Sequence, residues 1–175
     1  MPTVAIIGAG PLGRWLALAA ARAGYRVQLE DVMPANLQPA QEALRRELGA
    51  AGLPQVGFVS TIEDAVREAD LAIDCVPDEL ESKLEIFCLL DRMAPPRTVL
   101  ATPTTRLSIA DLAACTYRPG QCVGIAAEAS SLAAGVGADL LLRITSKTTP
   151  ETMQLVRDFW EAVGFIPRFE PDPAE

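Results

Sequence analysis

The sequence predicts a doubly wound α/β fold, in which a mostly parallel sheet carries helices on both faces. Short apolar runs typical of buried parallel strands alternate with helical segments along nearly the whole chain. A glycine-rich turn follows the first apolar run, and the acidic residue Asp31 follows the second. No linker-like composition interrupts the chain, so we expect one domain over residues 1–169 and a frayed tail over residues 170–175.

Each predicted strand is a short, mainly apolar run bounded by glycine, proline or polar residues. The strands are predicted at residues 4–7, 25–29, 56–59, 71–76, 98–101, 121–125, 140–144 and 165–169. The last of them contains Pro167 and is therefore expected at a sheet edge. The helices are predicted at residues 12–21, 34–48, 78–92, 108–115 and 150–163, with a brief one after the N-cap residue Thr61. Gly24, Gly49 and Gly164 are placed to end three of these helices.

The composition argues against several functional classes. The chain of 175 residues is half hydrophobic and 22% charged, as expected of a folded globular protein. Its formal net charge of −8, without a basic cluster, argues against nucleic acid and anionic membranes as partners. No apolar run has the length of a membrane span and no signal sequence precedes the first strand, so we expect a cytoplasmic protein.

The counts of cysteine and histidine restrict the chemistry. The four cysteines contain no C-x-x-C pair, so we expect neither a disulfide framework nor a metal site. The chain contains no histidine. A reaction that needs a proton acceptor near neutral pH must therefore use another side chain.

The turn after the first strand has the G-x-G-x-x-G pattern of a Rossmann-type dinucleotide-binding fold. It consists of Gly8, Ala9, Gly10, Pro11, Leu12 and Gly13. Gly8 allows the tight turn, Gly10 lets the backbone approach a pyrophosphate, and Gly13 lets the helix pack close to the sheet. We predict cofactor contacts from all of these residues except Ala9. The alternative is a glycine turn that only packs a β-α-β unit.

An acidic residue at the end of the second strand selects the cofactor. Asp31 can accept hydrogen bonds from both hydroxyls of the adenosine ribose, and it repels a 2′-phosphate. The next basic residue after it is Arg45, so no cation is available nearby to bind that phosphate. NAD is therefore predicted rather than NADP. The neighbouring Glu30 is the weaker candidate for the same role.

The sequence resembles the N-terminal domain of the 3-hydroxyacyl-CoA dehydrogenases along nearly its whole length. The segment after the fourth strand is more specific to that family than the glycine turn is. The resemblance is carried by residues 4–13, 27–32, 69–87, 90–96 and 107–109. It implies an NAD-dependent oxidoreductase acting on a CH–OH group and a place in fatty acid metabolism.

The resemblance also implies roles for individual residues. In the segment after the fourth strand it implies cofactor contacts from Val76, Asp78 and Lys83, with Asp78 on the nicotinamide side. The alternative for Asp78 and Lys83 is that both are solvent-exposed residues of the first helical turn. Thr105 keeps a hydroxyl where the family has a substrate-binding serine.

Three departures from the family pattern put its reaction in doubt. The family's catalytic histidine falls at Ala126, and the glutamate that orients this histidine falls at Leu142. The asparagine of the Ser-Asn-Thr-Ser-Ser segment falls at Pro103. The family also continues into a helical domain that binds acyl-CoA and often dimerises, beyond the length of this chain. Glu128 is a candidate replacement base, and its alternative is an exposed loop acid.

Three hypotheses follow for the function. The chain is a diverged NAD-dependent oxidoreductase that uses Thr105, and Glu128 as base, on another small-molecule substrate. Alternatively, it is a non-catalytic NAD(H)-binding or redox-sensing module. In the third hypothesis it is one half of a split dehydrogenase, whose helical domain lies on another chain. The apolar residues that such a domain covers would then stay exposed or form a homodimer contact.

Overall fold

The computed structural model describes the backbone of residues 1–175 and every side chain except that of Ala129. Its strands are β1 (Thr3–Ile7), β2 (Arg26–Glu30), β3 (Val56–Val59), β4 (Leu71–Asp74), β5 (Val99–Pro103), β6 (Cys122–Ile125), β7 (Asp139–Ile144) and β8 (Ile166–Pro171). They form a single sheet in the order β3-β2-β1-β4-β5-β6-β7-β8. Every neighbouring pair is parallel except β6 with β7. The predicted fold class is confirmed.

Helices connect these strands and cover both faces of the sheet. They are α1 (Pro11–Arg22), α2 (Pro34–Gly52), α3 (Ile62–Val66), α4 (Leu80–Met93), α5 (Ile109–Ala114), α6 (Ala129–Leu132) and α7 (Pro150–Val163). Thr61 caps α3 by accepting a hydrogen bond from the Asp64 N–H, as predicted. Gly164 ends α7 with a φ of 104°, a left-handed conformation that glycine adopts without strain. Helix α2 was predicted to end at residue 48, and it kinks at Gly49 and continues to Gly52.

The core is divided between the two faces of the sheet because side chains alternate along a strand. From β1, Val4 and Ile6 pack on the face covered by α1, α2 and α7. Ala5 and Ile7 pack on the other face, under α3, α4 and α5. Burying each large aliphatic side chain contributes about 1.5–3 kcal/mol. Two apolar layers therefore fix the carboxyl ends of the parallel strands at one rigid edge.

The segment between β4 and α4 differs from the prediction. The fourth strand was expected to reach residue 76 and the helix to begin at residue 78, whereas the strand ends at Asp74 and the helix begins at Leu80. The Asp74 carboxylate accepts a hydrogen bond from the Val76 N–H at 2.9 Å, which bends the chain out of the sheet. Residues 75–79 therefore form a loop at the carboxyl edge.

The C-terminal residues also differ from the expected frayed tail. Glu170 and Pro171 belong to β8, and Asp172 is only 3% exposed. The Asp172 carboxylate accepts hydrogen bonds from the Ser108 hydroxyl at 2.9 Å and the Ala110 N–H at 2.8 Å, at the start of α5. These contacts between distant parts of the sequence hold the end of the chain against the fold. β8 lies at the edge of the sheet, as predicted for a strand that contains proline.

Two further structural features concern membrane-spanning helices and metal sites. Among the residues described, no helix combines the length and apolar character needed to cross a membrane. The same residues contain no cluster of three or more histidine, cysteine, aspartate or glutamate side chains arranged to hold a metal ion.

Candidate functional site

A cavity of about 840 Å³ lies at the carboxyl edge of the sheet. The chain runs outward from β1 to β2 and β3 on one side, and then returns to β4 on the other. This reversal opens a crevice, and ligands of open α/β sheets bind in such crevices. Predicted site residues that line the cavity are Gly8, Gly10, Pro11, Leu12, Asp31, Val76, Asp78, Thr105 and Glu128. Gly13 and Lys83 are not among its lining residues.

The glycine turn is shaped to hold a ligand close to the backbone. Gly8 has a φ of 106°, which residues with a side chain rarely adopt. A Cβ atom on Gly13 would collide with the carbonyl oxygen of Gly8, so the helix can approach the turn only with glycine there. A Cβ on Gly10 would meet no atom within 4 Å and would fill cavity space instead. The glycines at positions 8 and 13 thus serve the turn itself, and Gly10 leaves room for a ligand.

The first turn of α1 faces this cavity with its positive end. Gly10 is the N-cap residue and Pro11 is the first helical residue. The N–H groups of a first helical turn have no acceptor within the helix, and the helix dipole places partial positive charge beside them. An anionic group such as a pyrophosphate is therefore favoured at this position.

Asp31, and not Glu30, lines the cavity. The residue is 8% exposed, and its carboxylate accepts hydrogen bonds from the Ala9 N–H at 2.9 Å and the Met33 N–H at 2.8 Å. The Asn36 side-chain amide donates a third hydrogen bond at 3.0 Å and also lines the cavity. Asp31 is thus held against the glycine turn, and a carboxylate with about four acceptor positions keeps capacity for a ribose hydroxyl. Asn36 was not predicted as a site residue from the sequence. The available signal was its place in the first turn of the helix that follows Asp31.

Glu30 is buried beside Asp31 without facing the ligand cavity. Its backbone carbonyl accepts a hydrogen bond from the Gly8 N–H at 2.8 Å, while its side chain is 5% exposed. Burial, and then the neighbouring charge of Asp31, raise the pKa of Glu30 from 4.5 to about 7. The protonated, neutral carboxyl is therefore the form that the fold favours.

Glu30 makes the stability of the fold depend on pH. A carboxyl whose pKa is raised by folding stabilises the fold fully below its unfolded pKa, and this contribution is lost as the pH rises through about 7. Between about pH 5 and pH 8 we expect Glu30 to lower the free energy of unfolding by about 2 kcal/mol. Urea denaturation measures this decline, and Glu30→Gln should largely remove it. Glu63→Gln, at an exposed position, is the control. An unchanged decline in Glu30→Gln would refute this assignment.

Asp78 joins the two loops on the nicotinamide side of the predicted site. Its Oδ2 accepts a hydrogen bond from the Thr105 N–H at 3.4 Å, and its backbone carbonyl accepts one from Arg106 Nη2 at 2.8 Å. Its Oδ1 is buried and has no hydrogen-bond partner among the described residues. An unpaired buried acceptor in a residue that lines the cavity fits a ligand that donates a hydrogen bond to it.

Arg106 lines the cavity and was not predicted as a site residue. Its Nε lies 4.0 Å from Asp78 Oδ2, and its side chain is 72% exposed. The available signal in the sequence was a cation in a segment where the family carries a small hydroxyl residue.

Lys83 lies neither at the cofactor cavity, as the resemblance implies, nor at the solvent-exposed surface, which was the alternative. Its side chain is 1% exposed, and its ammonium donates to Asp74 Oδ2 at 3.2 Å, the Val76 carbonyl at 3.2 Å and Thr102 Oγ1 at 2.8 Å. These acceptors match the three hydrogens of the ammonium, so none is left for a cofactor. Lys83 instead ties α4 to the ends of β4 and β5 beneath the cavity floor.

The loop after β6 supplies the remaining wall of the cavity. Glu128 is exposed there and lines the same cavity as Thr105. The positions of the family's histidine and glutamate are adjacent, because the Ala126 N–H donates to the Leu141 carbonyl and Ile125 pairs with Leu142 across β6 and β7. Neither Ala126 nor Leu142 can accept a proton. The tertiary structure thus brings the two positions together without the two functional groups.

The glycine turn, the N-terminus of α1 and Asp31 fit a dinucleotide. The unpaired Asp78 oxygen fits a hydrogen-bond donor at the end of the dinucleotide that lies farthest from Asp31. The fold and the site together define a dinucleotide-binding domain of the Rossmann type. The family model described as "3-hydroxyacyl-CoA dehydrogenase, NAD binding domain" matches residues 3–126. The chain belongs to this family, through its NAD-binding domain, and its cofactor is NAD.

Individual relatives agree with this assignment. A probable 3-hydroxybutyryl-CoA dehydrogenase of Bacillus subtilis (strain 168) is 30% identical over 70% of this chain and 47% of its own length. A 5-formyl-3-hydroxy-2-methylpyridine 4-carboxylate 5-dehydrogenase of Mesorhizobium japonicum is 30% identical over 94% of this chain and 55% of its own length. The chain spans about half the length of these curated relatives.

A solved structure of 3-hydroxybutyryl-CoA dehydrogenase from Escherichia coli K12 has the same architecture. It superposes on 98% of this chain and 38% of its own, with a TM-score of 0.86 and 26% sequence identity. The recognition of the family and of the cofactor from the sequence is therefore confirmed.

Proposed function

We propose that this chain is the NAD(H)-binding module of a diverged dehydrogenase that acts on a CH–OH group without the family's histidine–glutamate pair. One observation carries the proposal. One cavity joins Asp31, the glycine turn and Asp78 to Thr105, which carries a hydroxyl, and to Glu128, which can accept a proton. Bound NAD supplies the acceptor for a hydride.

Each part of the cavity then has a role toward the cofactor. Asp31 binds the adenosine ribose, and the backbone of Gly10 and the first turn of α1 hold the pyrophosphate. Val76 and the Asp78 carboxylate line the nicotinamide side. Thr105 orients a substrate oxygen with its hydroxyl, and Glu128 accepts the hydroxyl proton. Lys83 contributes indirectly, because it fixes the carbonyl of Val76.

Asp31→Ala tests the cofactor site. We expect the wild-type protein to bind NAD⁺ and NADH in calorimetric titrations, and NADPH at least about tenfold more weakly because of charge repulsion at Asp31. Asp31→Ala should weaken NADH binding by about 10- to 100-fold, the usual effect of losing hydrogen bonds to a charged group. Asp64→Ala, an exposed acid outside the cavity, is the control for charge. If Asp31→Ala binds NADH like the wild type, the ribose does not lie at Asp31.

A specific observation favours a second candidate, a non-catalytic NAD(H)-binding or redox-sensing module. Apolar side chains occupy both positions of the family's proton-transfer pair, Ala126 and Leu142. Loss of a general base costs about 10²- to 10⁴-fold in rate. The two candidates are separated by single-turnover transfer of deuteride from labelled NADH to the keto group of a panel of oxo acids and 3-oxoacyl-CoA thioesters. Transfer that Glu128→Gln slows supports the enzyme, and no transfer in the presence of bound NADH supports the module.

We also propose a reducing compartment such as the cytoplasm, because none of the four cysteines is in a disulfide. The names of relatives that act on hydroxyacyl-CoA thioesters support a role in fatty acid metabolism for this chain. A homodimer, or a separate helical domain that covers the cavity as in a split enzyme, stays a prediction.

A further inference from the structure

Arg106 is the single basic residue among those that line the cavity, where Asp31, Asp78 and Glu128 are the acids. Its guanidinium is only partly engaged. Nη2 donates to the Asp78 carbonyl at 2.8 Å, and Nε is 4.0 Å from Asp78 Oδ2, beyond hydrogen-bond distance. Nη1 has no acceptor among the described residues. The guanidinium is therefore bonded to one backbone carbonyl and keeps unengaged donors in a residue that lines the cavity.

Hydrogen bonds hold the backbone at Arg106, so the turn that carries this side chain is ordered. The buried Thr104 hydroxyl accepts hydrogen bonds from the Arg106 N–H at 3.3 Å and the Leu107 N–H at 3.0 Å. Two residues further on, Ser108 is the N-cap residue of α5, and its hydroxyl donates a hydrogen bond to the buried Asp172 carboxylate. The cation is thus presented from a turn that is anchored on both sides.

Neither a structural role nor adenosine recognition explains this residue. An exposed ion pair at such a distance contributes at most about 1 kcal/mol. Arg106 follows β5, which lies three strands from the β2 strand that ends beside Asp31, a separation of about 14 Å at the usual strand spacing. A 2′-phosphate beside Asp31 is therefore out of its range. The neighbour of Arg106 in the sequence is Thr105, which lines the same cavity and carries a hydroxyl.

We propose that Arg106 binds a carboxylate of the substrate, and that the substrate class is a free hydroxy acid or oxo acid. This inference rests on the proposed function of the cavity. A guanidinium matches a carboxylate with parallel hydrogen bonds, and that geometry sets both affinity and orientation. With the carboxylate on Arg106 and the hydroxyl or carbonyl oxygen at Thr105, the reacting carbon lies one or two bonds from the acid group. Arg106 is then the residue that determines specificity for a free acid over a thioester, whose acyl group carries no carboxylate.

The experiment uses oxo acids and the NAD⁺-saturated protein, a combination in which no reduction can occur. Pyruvate and acetoacetate are the charged probes, and pyruvamide and acetoacetamide are their neutral counterparts. Binding is followed by ¹H–¹⁵N NMR titration, including the Nε–H signal of Arg106. We expect the acids to bind at least about tenfold more tightly than the amides, since a hydrogen bond to a charged group contributes about 1.5–3 kcal/mol.

Variants of Arg106 test whether this residue causes the preference for acids over amides. Arg106→Ala should weaken acid binding by about 10- to 100-fold and leave amide binding and NAD⁺ affinity unchanged. Arg106→Lys should restore part of the preference, because it keeps the charge without the planar fork. Arg92→Ala removes the same charge from an exposed position outside the cavity and should behave like the wild type.

Other outcomes overturn the inference in distinguishable ways. Equal affinity for acids and amides in the wild type, or an unaffected Arg106→Ala, shows that no carboxylate is recognised here. Weaker NAD⁺ binding in Arg106→Ala shows that the residue supports the cofactor instead, directly or through the Asp78 carbonyl to which it donates. Failure of the wild type to bind NAD⁺ at all refutes the proposed function of the cavity, and this inference with it.

Discussion

Replacing Gly10 with valine is expected to abolish NAD(H) binding while leaving the fold intact. Gly10 has φ and ψ of −68° and −172°, which any residue adopts, and a Cβ there meets no protein atom within 4 Å. The valine side chain therefore enters the space in which the pyrophosphate would contact the backbone. We expect NADH affinity to fall at least about 100-fold, with a stability loss of about 1 kcal/mol or less for a poorer N-cap residue.

Calorimetric titration with NADH and urea denaturation together check this expectation. Gly10→Ala is the graded control, because it adds one methyl group to the same wall and should give an intermediate affinity. Gly13→Ala provides the contrast, since its Cβ collides with the Gly8 carbonyl and should destabilise the fold itself. Wild-type affinity in Gly10→Val would place the cofactor away from the glycine turn.

Replacing Lys83 with methionine is expected to lower the free energy of unfolding by about 3–5 kcal/mol. The substitution keeps most of the side-chain volume but leaves Asp74, which is fully buried, without its ion-pair partner. Burial already raises the pKa of Asp74, and the Lys83 ammonium opposes that increase. Without the ammonium, Asp74 must take up a proton or remain as an unpaired buried charge.

Urea denaturation measures the effect, with Lys147→Met as the control. Lys147 is exposed and is the other lysine in the chain, so its replacement should change stability by less than about 0.5 kcal/mol. Adding Asp74→Asn to Lys83→Met should recover at least about 1 kcal/mol, because the unpaired charge is removed. The opposite pattern, full stability with weakened NADH binding, would show that Lys83 contacts the cofactor after all, as the family resemblance implies.

Lys83 shows why a site residue inferred from a family pattern can have a different environment in a particular chain. The sequence places a lysine in the first turn of a helix after β4, and both expectations from that position left it near solvent. Its partners are Asp74 on β4 and Thr102 on β5, which are 9 and 19 positions away. Only the packing of β4, β5 and α4 determines that the ammonium points beneath the cavity.

Arg106 and Asn36 illustrate the same limit. Each belongs to a loop or helix start whose direction depends on long-range contacts, such as the bond from Arg106 to the Asp78 carbonyl across 28 positions. In contrast, the Thr61 cap and the glycine turn were predictable. Their hydrogen bonds and backbone angles are local, so residue type and spacing are sufficient to specify them.

The sequence by itself determined the fold class, the glycine turn, the family with its NAD cofactor, and the absence of any histidine that could serve as a base. The fold class and the turn depend on periodicity and on local backbone conformation, which are properties of neighbouring residues. The family is carried by residue types along the chain, which can be read without knowing the fold. The tertiary structure alone decided that Lys83 is buried, that Asp172 holds the chain end on α5, and that Asp78, Thr105 and Arg106 meet in one cavity. These outcomes depend on which strand ends are adjacent, and the packing of the whole sheet sets that adjacency.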